Sequence, residues 1–251
     1  MSNERLRSAL FDSGITYEQL SEHVRVDPKT VERWISQERV PHRTHRLTVA
    51  SLLGRDEAFL WPSTKNDPRS VAASEAEFVS LYPNRGSVSP EFWNGLVDRS
   101  KVQIDLLAFA ASFLHDAVPD FDELLAAKAR QGVRIRLLFG DPESAAVNLR
   151  GEEEGIGDLL GARCRLTWKY FAPVIGQAGV EARSHGSTLY NSIFRFDDTL
   201  LVNAHSFGAA ASHSVVMHLQ KVAGGRLFAH YMSGFEGTWD SAIAWPDPEV
   251  H

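Results

Sequence analysis

The sequence runs to 251 residues, 43% of them hydrophobic, with 26 Lys and Arg against 32 Asp and Glu for a formal net charge of −6. That length fits one large domain or two small ones, the apolar share supports a buried core, and no run of about 18 apolar residues is present to span a bilayer. The single cysteine, Cys164, excludes an intrachain disulfide and a cysteine-built zinc site. The N-terminus, MSNERLRS, lacks the apolar centre of a signal peptide, so the expectation is a cytoplasmic protein without a membrane partner.

Charge is unevenly spread. Residues 1–61 hold nine basic and nine acidic side chains, whereas residues 62–251 hold 17 basic and 23 acidic. Within the first segment, the window Arg25–Arg46 holds Arg25, Lys29, Arg33, Arg39, Arg43 and Arg46 against only Asp27, Glu32 and Glu38, with His42 and His45 in addition. A basic stripe on one small domain beside an acidic remainder suits DNA contact by that domain alone.

In chain order, a first helix is predicted over Glu4–Phe11, with Leu6, Leu10 and Phe11 on one side and Gly14 as terminator. Thr16 starts the second helix through the T-x-x-Q form of the capping box, reciprocated by Gln19, with Leu20, His23 and Val24 inward. Asp27 caps the third helix and Pro28 takes its first position, where the missing N–H costs nothing. Val31, Trp34 and Ile35 then face the core, which leaves Lys29, Thr30 and Arg33 outward. From such positions a recognition helix reaches base edges, Arg33 as a bidentate donor to guanine and Lys29 toward phosphate. After Pro41 a fourth helix runs through Leu47, Val49, Ala50, Leu52 and Leu53, its basic start at His42-Arg43 offering open amides to backbone phosphate.

This pattern resembles the helix-turn-helix domains of the Xre/Cro/CI repressor-like family. The matching residues are Gly14-Ile15-Thr16, Glu18-x-Leu20, the turn through Val26, Thr30-Val31-x-Arg33-Trp34 and the closing Leu52-Leu53-Gly54. The family usually has Gln where Tyr17 stands and Ala where Ser21 stands; Tyr17 can still hydrogen-bond a phosphate. The resemblance implies double-stranded DNA as partner and Thr16, Tyr17, Lys29, Thr30, Arg33, Arg39 and Arg43 as its contacts.

Residues 62–76 carry two prolines without helical or strand periodicity and read as a linker. From residue 77 onward the pattern alternates. A helix is predicted over Pro90–Val97, a doubly buried strand over Val102–Phe109, an amphipathic helix over Phe121–Arg130 and a strand over Val133–Phe139. Glu154–Leu160 reads as a helix and Arg163–Trp168 as a strand. Thr188–Phe196 and Thr199–His205 form two more strands joined at Asp197-Asp198, Ser214–Leu219 another, and a closing helix carries Leu227, Tyr231, Phe235 and Trp239 on one stripe. The predicted class is therefore a two-domain α+β chain: an all-α helix-turn-helix domain over 1–61, then an α/β domain over 77–251 with a mostly parallel sheet.

The second half resembles one repeat of the phospholipase D-like fold, Phe235 and Trp239 matching its F-x-x-x-W stripe, and also the C-terminal domains found behind Xre-type units in actinobacterial regulators. In the phospholipase D-like family a strand bears His, then Lys two residues on, then Asp five after the Lys. Aligned on Asp197, Tyr190 falls at the His position and Ser192 at the Lys position. Tyr, with a reference pKa of about 10, is a poor nucleophile at neutral pH, and Ser supplies no cation. The expectation is that the chain is not an enzyme. By the same resemblance, single-repeat members pair, so a homodimer is expected.

Alternation places Thr188, Tyr190 and Ser192 on one strand face and Asn203 and His205 on one face of the next, with Arg183 and His185 just upstream. With Arg85 and His115 they make a candidate pocket for a small, phosphate- or carboxylate-bearing effector. No H-x-x-x-H or similar spacing occurs, so neither metal nor cofactor is expected. The leading reading is a dimeric transcriptional regulator. The alternatives are a divergent phosphodiesterase or nuclease, with His185 or His205 as replacement nucleophile, and a protein-interaction adaptor.

Overall fold

The computed structural model describes residues 2–64 and 68–245, and its contacts separate two compact units, residues 1–73 and 74–251. The first unit is helical: α1 (Glu4–Ser13), α2 (Tyr17–Val24), α3 (Pro28–Ser36), α4 (Arg43–Leu52) and the single turn α5 (Glu57–Leu60). Each boundary has a local cause. Asn3 Oδ1 accepts from the Leu6 amide at 3.0 Å to open α1, and Gly14 closes it at φ +65°. Thr16 and Gln19 exchange bonds of 3.2 and 2.9 Å to open α2, while Asp27 accepts from the Lys29 amide at 2.8 Å to open α3.

These caps aim the apolar faces inward. Leu6, Leu20 and Val31 are fully buried beside Trp34, Ile35 and Val49 in one core. At about 1.5–3 kcal/mol for each large side chain removed from water, this burial holds the helices together. Phe11, expected on the buried side of α1, is 87% exposed because it lies on the opposite face from Leu6 and Ala9. His23, expected inward, is exposed, and Ser21 is buried in its place with its hydroxyl donating to the Glu18 carbonyl at 2.7 Å.

Part of the stretch read as linker is regular. Pro68–Glu77 forms α6, with Pro68 at the first position and an Ala- and Glu-rich run of high helix propensity behind it. The division between the two units falls inside this helix.

In the second unit β1 (Phe78–Tyr82), β2 (Gln103–Ala108), β3 (Arg134–Gly140), β4 (Val180–His185), β5 (Asn191–Phe196), β6 (Thr199–Ala204), β7 (Val216–Gln220) and β8 (Ile243–Ala244) form one sheet. The order is β1-β7-β6-β5-β2-β3-β4-β8. Only β2, β3 and β4 run parallel to one another; every other pairing is antiparallel. The sheet is therefore mixed rather than mostly parallel. Hairpin connections such as the turn between β5 and β6 force antiparallel neighbours, and only the helical crossovers after β2 and β3 permit parallel ones.

Helices cover both faces. On one face α7 (Pro90–Arg99), α8 (Phe113–Ala117) and α9 (Phe121–Arg130) pack on Ile104, Leu106, Ile135, Leu137 and Phe194. On the other, α10 (Ala145–Glu153) and α12 (Leu227–Ser241) pack on Leu107, Leu138, Ile193 and Leu200. Between β3 and β4, α11 (Leu159–Phe171) gives Leu160 and Cys164 to one core and Trp168 and Phe171 to the other. It occupies the stretch expected to hold a helix at Glu154–Leu160 and a strand at Arg163–Trp168. Cys164, Leu166 and Trp168 alternate with polar residues like a strand, but the buried set Leu160, Cys164, Trp168 and Phe171 has helical spacing, and Leu166 is exposed.

The second core contains a buried charge network. Arg136 on β3 donates to both oxygens of Asp105 on β2, at 2.7 and 3.0 Å, and to both oxygens of Glu236 on α12 at 2.7 Å. Arg195 on β5 adds a contact to Asp105 at 3.2 Å. Burial works against the Arg136 charge, but the bonds to Glu236 and Asp105 outweigh it and hold its pKa above the ordinary arginine value. A second device fixes the start of α12: buried Glu77 accepts from the Leu227 amide at 2.7 Å, and its carboxylate packs so closely on Gly225 that a Cβ there would collide with it.

Candidate functional site

The carboxyl ends of β2 and β6 open onto a cavity of about 320 Å3 in the second unit. Its polar lining includes Arg85, Ser192, His205 and Arg163, and its apolar lining includes Phe109 and Phe113. Such rims are where α/β sheets usually hold ligands, because strands deliver side chains there while loops stay free to shape the opening.

Register explains how the pair at its centre forms. Ser192 on β5 lies opposite Asn203 on β6, and His205 follows two residues later, so all three share a face. The His205 amide donates to the Tyr190 carbonyl at 2.8 Å, and its Nδ1 lies 3.3 Å from the Leu189 carbonyl. A carbonyl can only accept, so Nδ1 carries the proton and Nε2 is left with a lone pair. Ser192 Oγ sits 3.0 Å from that Nε2 and donates to it. Burial pushes the His205 pKa down to about 4; the Leu189 bond opposes this, while Arg150 and Arg85 add to it. At neutral pH His205 is therefore an uncharged acceptor.

Arg150 holds the loop beyond His205 in place. Buried on α10, it donates to the carbonyls of Ser206 at 3.2 Å and Ala209 at 2.7 Å while paired with Glu154 at 2.8 Å. Phe109 stacks on the His205 ring with centroids 6.0 Å apart.

Arg85 differs from the other arginines that this unit buries. Asn84 starts its short turn by accepting from the Ser87 amide at 3.0 Å, and the guanidinium lies over the Phe113 ring, 3.8 Å from the centroid. Among the described residues no carboxylate pairs with it within ion-pair distance. Burial lowers its pKa to about 10, with Glu154 opposing and Arg163 assisting. A half-buried cation stacked on an aromatic face at a cavity wall can bond an anion, and Asp116 and Glu154 line the same cavity.

The structure thus brings together Arg85, Ser192 and His205 from the expected pocket, with Asn203 beneath them. Asn203 is fully buried; its Nδ2 donates to the carbonyls of Ser214 at 3.2 Å and Val215 at 3.1 Å, and its Oδ1 has no partner among the described residues. The other residues lie elsewhere. Tyr190 is 80% exposed and lines a different hollow with Thr188, His230 and Tyr231, because β5 begins only at Asn191 and alternation does not extend back to it. Arg183 donates to the Trp239 carbonyl at 2.8 Å and stacks on that ring. His185 is buried with Nε2 3.2 Å from the Ala108 carbonyl, and burial lowers its pKa. His115 stacks on Tyr170 with centroids 4.5 Å apart, away from the cavity. Arg163, absent from the expected set, lines the cavity; its misassignment to a strand hid this.

Asp197, the aligned acid of the hairpin, is taken up structurally. Its carboxylate accepts from the amides of Lys101, Val102 and Gln103 at 2.8–2.9 Å, with its own φ at +53°. Burial opposes ionisation, but those three bonds and Arg195 hold its pKa below the usual carboxylate range. Among the described residues no three His, Cys, Asp or Glu side chains gather as metal ligands, and no helix is long and apolar enough to cross a membrane.

In the first unit Lys29, Arg33 and Arg39 are exposed, Thr30 and Arg43 half-buried, and the basic members of this set have no ion pair among the described residues. Arg46, counted in the basic stripe, is not available: it pairs with Glu57 at 2.5 Å and donates to the Pro41 carbonyl at 2.9 Å. Tyr17 is half-buried against the core, and the Thr16 hydroxyl is occupied by its cap.

No family model and no curated protein matches the sequence. Among solved structures the chain is similar to Nuc of Salmonella typhimurium, a phospholipase D family member, with 16% identity and a TM-score of 0.42 over 66% of this chain and 97% of that one. It is also similar to TrmBL2, an archaeal chromatin protein with a novel mode of DNA binding, with 12% identity and a TM-score of 0.43 over 88% and 72%. A third is phosphatidylserine synthase of Haemophilus influenzae Rd KW20, with 11% identity and a TM-score of 0.42 over 66% of this chain and 38% of that one. The likeness is one of fold. It corrects the expectation that the chain is not an enzyme, since the phospholipase D family member and the phosphatidylserine synthase put it beside an enzyme fold. The physical gap in that expectation lies at Ser192: it supplies no cation, but its hydroxyl is bonded to His205 at 3.0 Å.

Proposed function

We propose that the chain is a sequence-specific, double-stranded-DNA-binding transcriptional regulator that acts as a homodimer and binds a small anionic effector in its second unit. The observation that carries this reading is the capped α2–α3 pair. Its core residues Val31, Trp34 and Ile35 are buried, and Lys29 and Arg33 stand on the opposite face without carboxylate partners among the described residues. In the helix-turn-helix arrangement α3 enters the major groove, Arg33 reads a guanine, and Lys29, Arg39, Arg43 and Tyr17 contact phosphate. The open first-turn amides of α4 supply a further phosphate site, since its His42 N-cap makes no side-chain cap bond.

One copy offers few cations, and non-specific affinity scales with the phosphates neutralised, so a single copy binds weakly. Pairing two copies on half-sites one helical turn apart supplies the remainder. The effector reading rests on Arg85, whose unpaired guanidinium faces the cavity holding Ser192 and His205.

Selection of bound duplexes from a random-sequence pool tests the reading. Enrichment of a two-fold symmetric site with half-sites about 10 base pairs apart is expected. Recovery of no sequence above background would refute it.

A further inference from the structure

We propose that the cavity is a hydrolytic site in which Ser192 is the nucleophile and His205 its general base, acting on small carboxylic esters that carry an anionic group held by Arg85. The proposal deepens the effector reading above, since it rests on the same cavity holding an anion and adds chemistry to it.

Three geometric facts carry it. The Ser192 Oγ–His205 Nε2 distance of 3.0 Å is the reach a nucleophile–base pair needs. The tautomer is set, because Nδ1 is engaged by the Leu189 carbonyl and leaves Nε2 to accept. A third group thereby orients the base, in the manner of other activated serines, with a carbonyl where a carboxylate often stands. Both residues face the same cavity, whose volume of about 320 Å3 suits a ligand of modest size.

The charge layout selects the ester class. Ser192 and His205 are themselves uncharged, the state that suits attack on a neutral carbonyl, while the cavity wall carries Arg85 and Arg163 beside Asp116 and Glu154. The cationic partner, Arg85, belongs to a different element and stacks on Phe113 at the cavity wall. An ester with its anion on Arg85 therefore presents its neutral carbonyl toward Ser192.

The step balances without a further reactant except water. Ser192 Oγ attacks the carbonyl carbon as its proton passes to His205 Nε2. The carbon–alkoxy bond then breaks, His205 returns that proton to the departing alcohol, and an acyl-Ser192 remains. Water attacks the acyl carbon while giving a proton to Nε2, and Ser192 leaves with that proton, releasing the acid. Arg150 is a positioning residue, holding the 206–209 loop that continues from His205.

The full chain is incubated with an alkyl fluorophosphonate probe, and the modified peptide is mapped by mass; hydrolysis of p-nitrophenyl acetate and of mono-p-nitrophenyl succinate is followed in parallel. The proposal expects labelling at Ser192, slowed by inorganic phosphate, and a kcat/KM for the succinate ester about tenfold above the acetate. Arg85→Gln should abolish that preference through KM, and His205→Asn should slow labelling at least a hundredfold, in keeping with typical losses of a general base. The pH profile of kcat/KM should stay flat from pH 8 to 5 and fall with an apparent pKa near 4, following His205. Mapping on the wild-type chain decides the matter even where Ser192→Ala fails to fold. An unlabelled Ser192 in a chain that still binds phosphate would overturn the nucleophile and leave the effector site standing. Labelling indifferent to phosphate and to Arg85→Gln would overturn the anionic substrate class and the effector reading together.

Discussion

Apart from Arg46, which the first unit buries against Glu57, the two units use arginine in opposite ways. In the first, Arg33 and Arg39 point to solvent without carboxylate partners among the described residues, while in the second Arg136 and Arg150 are buried and saturated by carboxylates and carbonyls. A buried guanidinium bonded through all three of its nitrogens is a structural part; removing it leaves charges stranded in low dielectric. An exposed one without a partner contributes little to stability and keeps its donors for a ligand. Arg85 lies between these cases, half-buried yet without a carboxylate partner among the described residues.

Substitutions sharpen this contrast. The largest effect is expected from Arg136→Ala, which strands Asp105 in the core; denaturant unfolding should show a loss of about 3–5 kcal/mol. Loss below about 1 kcal/mol would mean that water or Arg195 compensates and the network is not structural.

Acid titration comes next. The folded His205 sits near pKa 4 against an ordinary value of about 6.5, so the unfolded chain binds the proton more readily. The associated stability is fully present above pH of about 6.5 and is lost as pH falls through the folded pKa, in total on the order of 3 kcal/mol. His205→Gln should flatten that part of the stability–pH curve; an unchanged curve would deny that burial keeps this ring neutral. His185, His115 and His218 are shifted in the same direction by burial and add to the acid loss that remains in the variant.

The cap of α2 has a smaller effect. Thr16→Ala removes the bond to the Gln19 amide and should cost about 1 kcal/mol in chemical unfolding. At the other end of the scale, Arg33→Ala should leave stability within about 0.5 kcal/mol of wild type, as exposed, unpaired side chains do. A marked destabilisation there would show that Arg33 serves the fold.

Much of the fold is legible in the sequence. The caps at Thr16 and Asp27 are short-range chemistry and read directly, as do the apolar run of β2 and the alternation of Arg134 and Arg136 with apolar residues in β3. Elements without an apolar signature were missed. In β4, Val180–His185, only Val180 and Ala182 are apolar, and its place between β3 and β8 comes from distant partners. The strand-like alternation of 163–168 misled because α11 packs against both cores, so two buried stripes overlap on one helix. Of the candidate pocket residues, three-dimensional placement keeps Arg85, Ser192 and His205 at the cavity. Tyr190 falls outside because β5 starts at Asn191, three residues after the expected Thr188, and Arg183 because it bonds and stacks on Trp239. No local signal could have shown that Ser192 and His205, 13 residues apart, meet at 3.0 Å; that follows from the β5–β6 register.

The central claim is that the exposed arginine of α3 reads DNA while the buried ones only hold the fold. Binding of the full chain to its selected duplex, titrated with salt for wild type, Arg33→Ala and Lys29→Ala, tests it most directly. The account predicts that Arg33→Ala costs about 1–3 kcal/mol on the selected site and relaxes preference at one base pair, while Lys29→Ala weakens all duplexes alike and lowers the salt slope by about one. Equal affinity and equal sequence preference for all three proteins would contradict it.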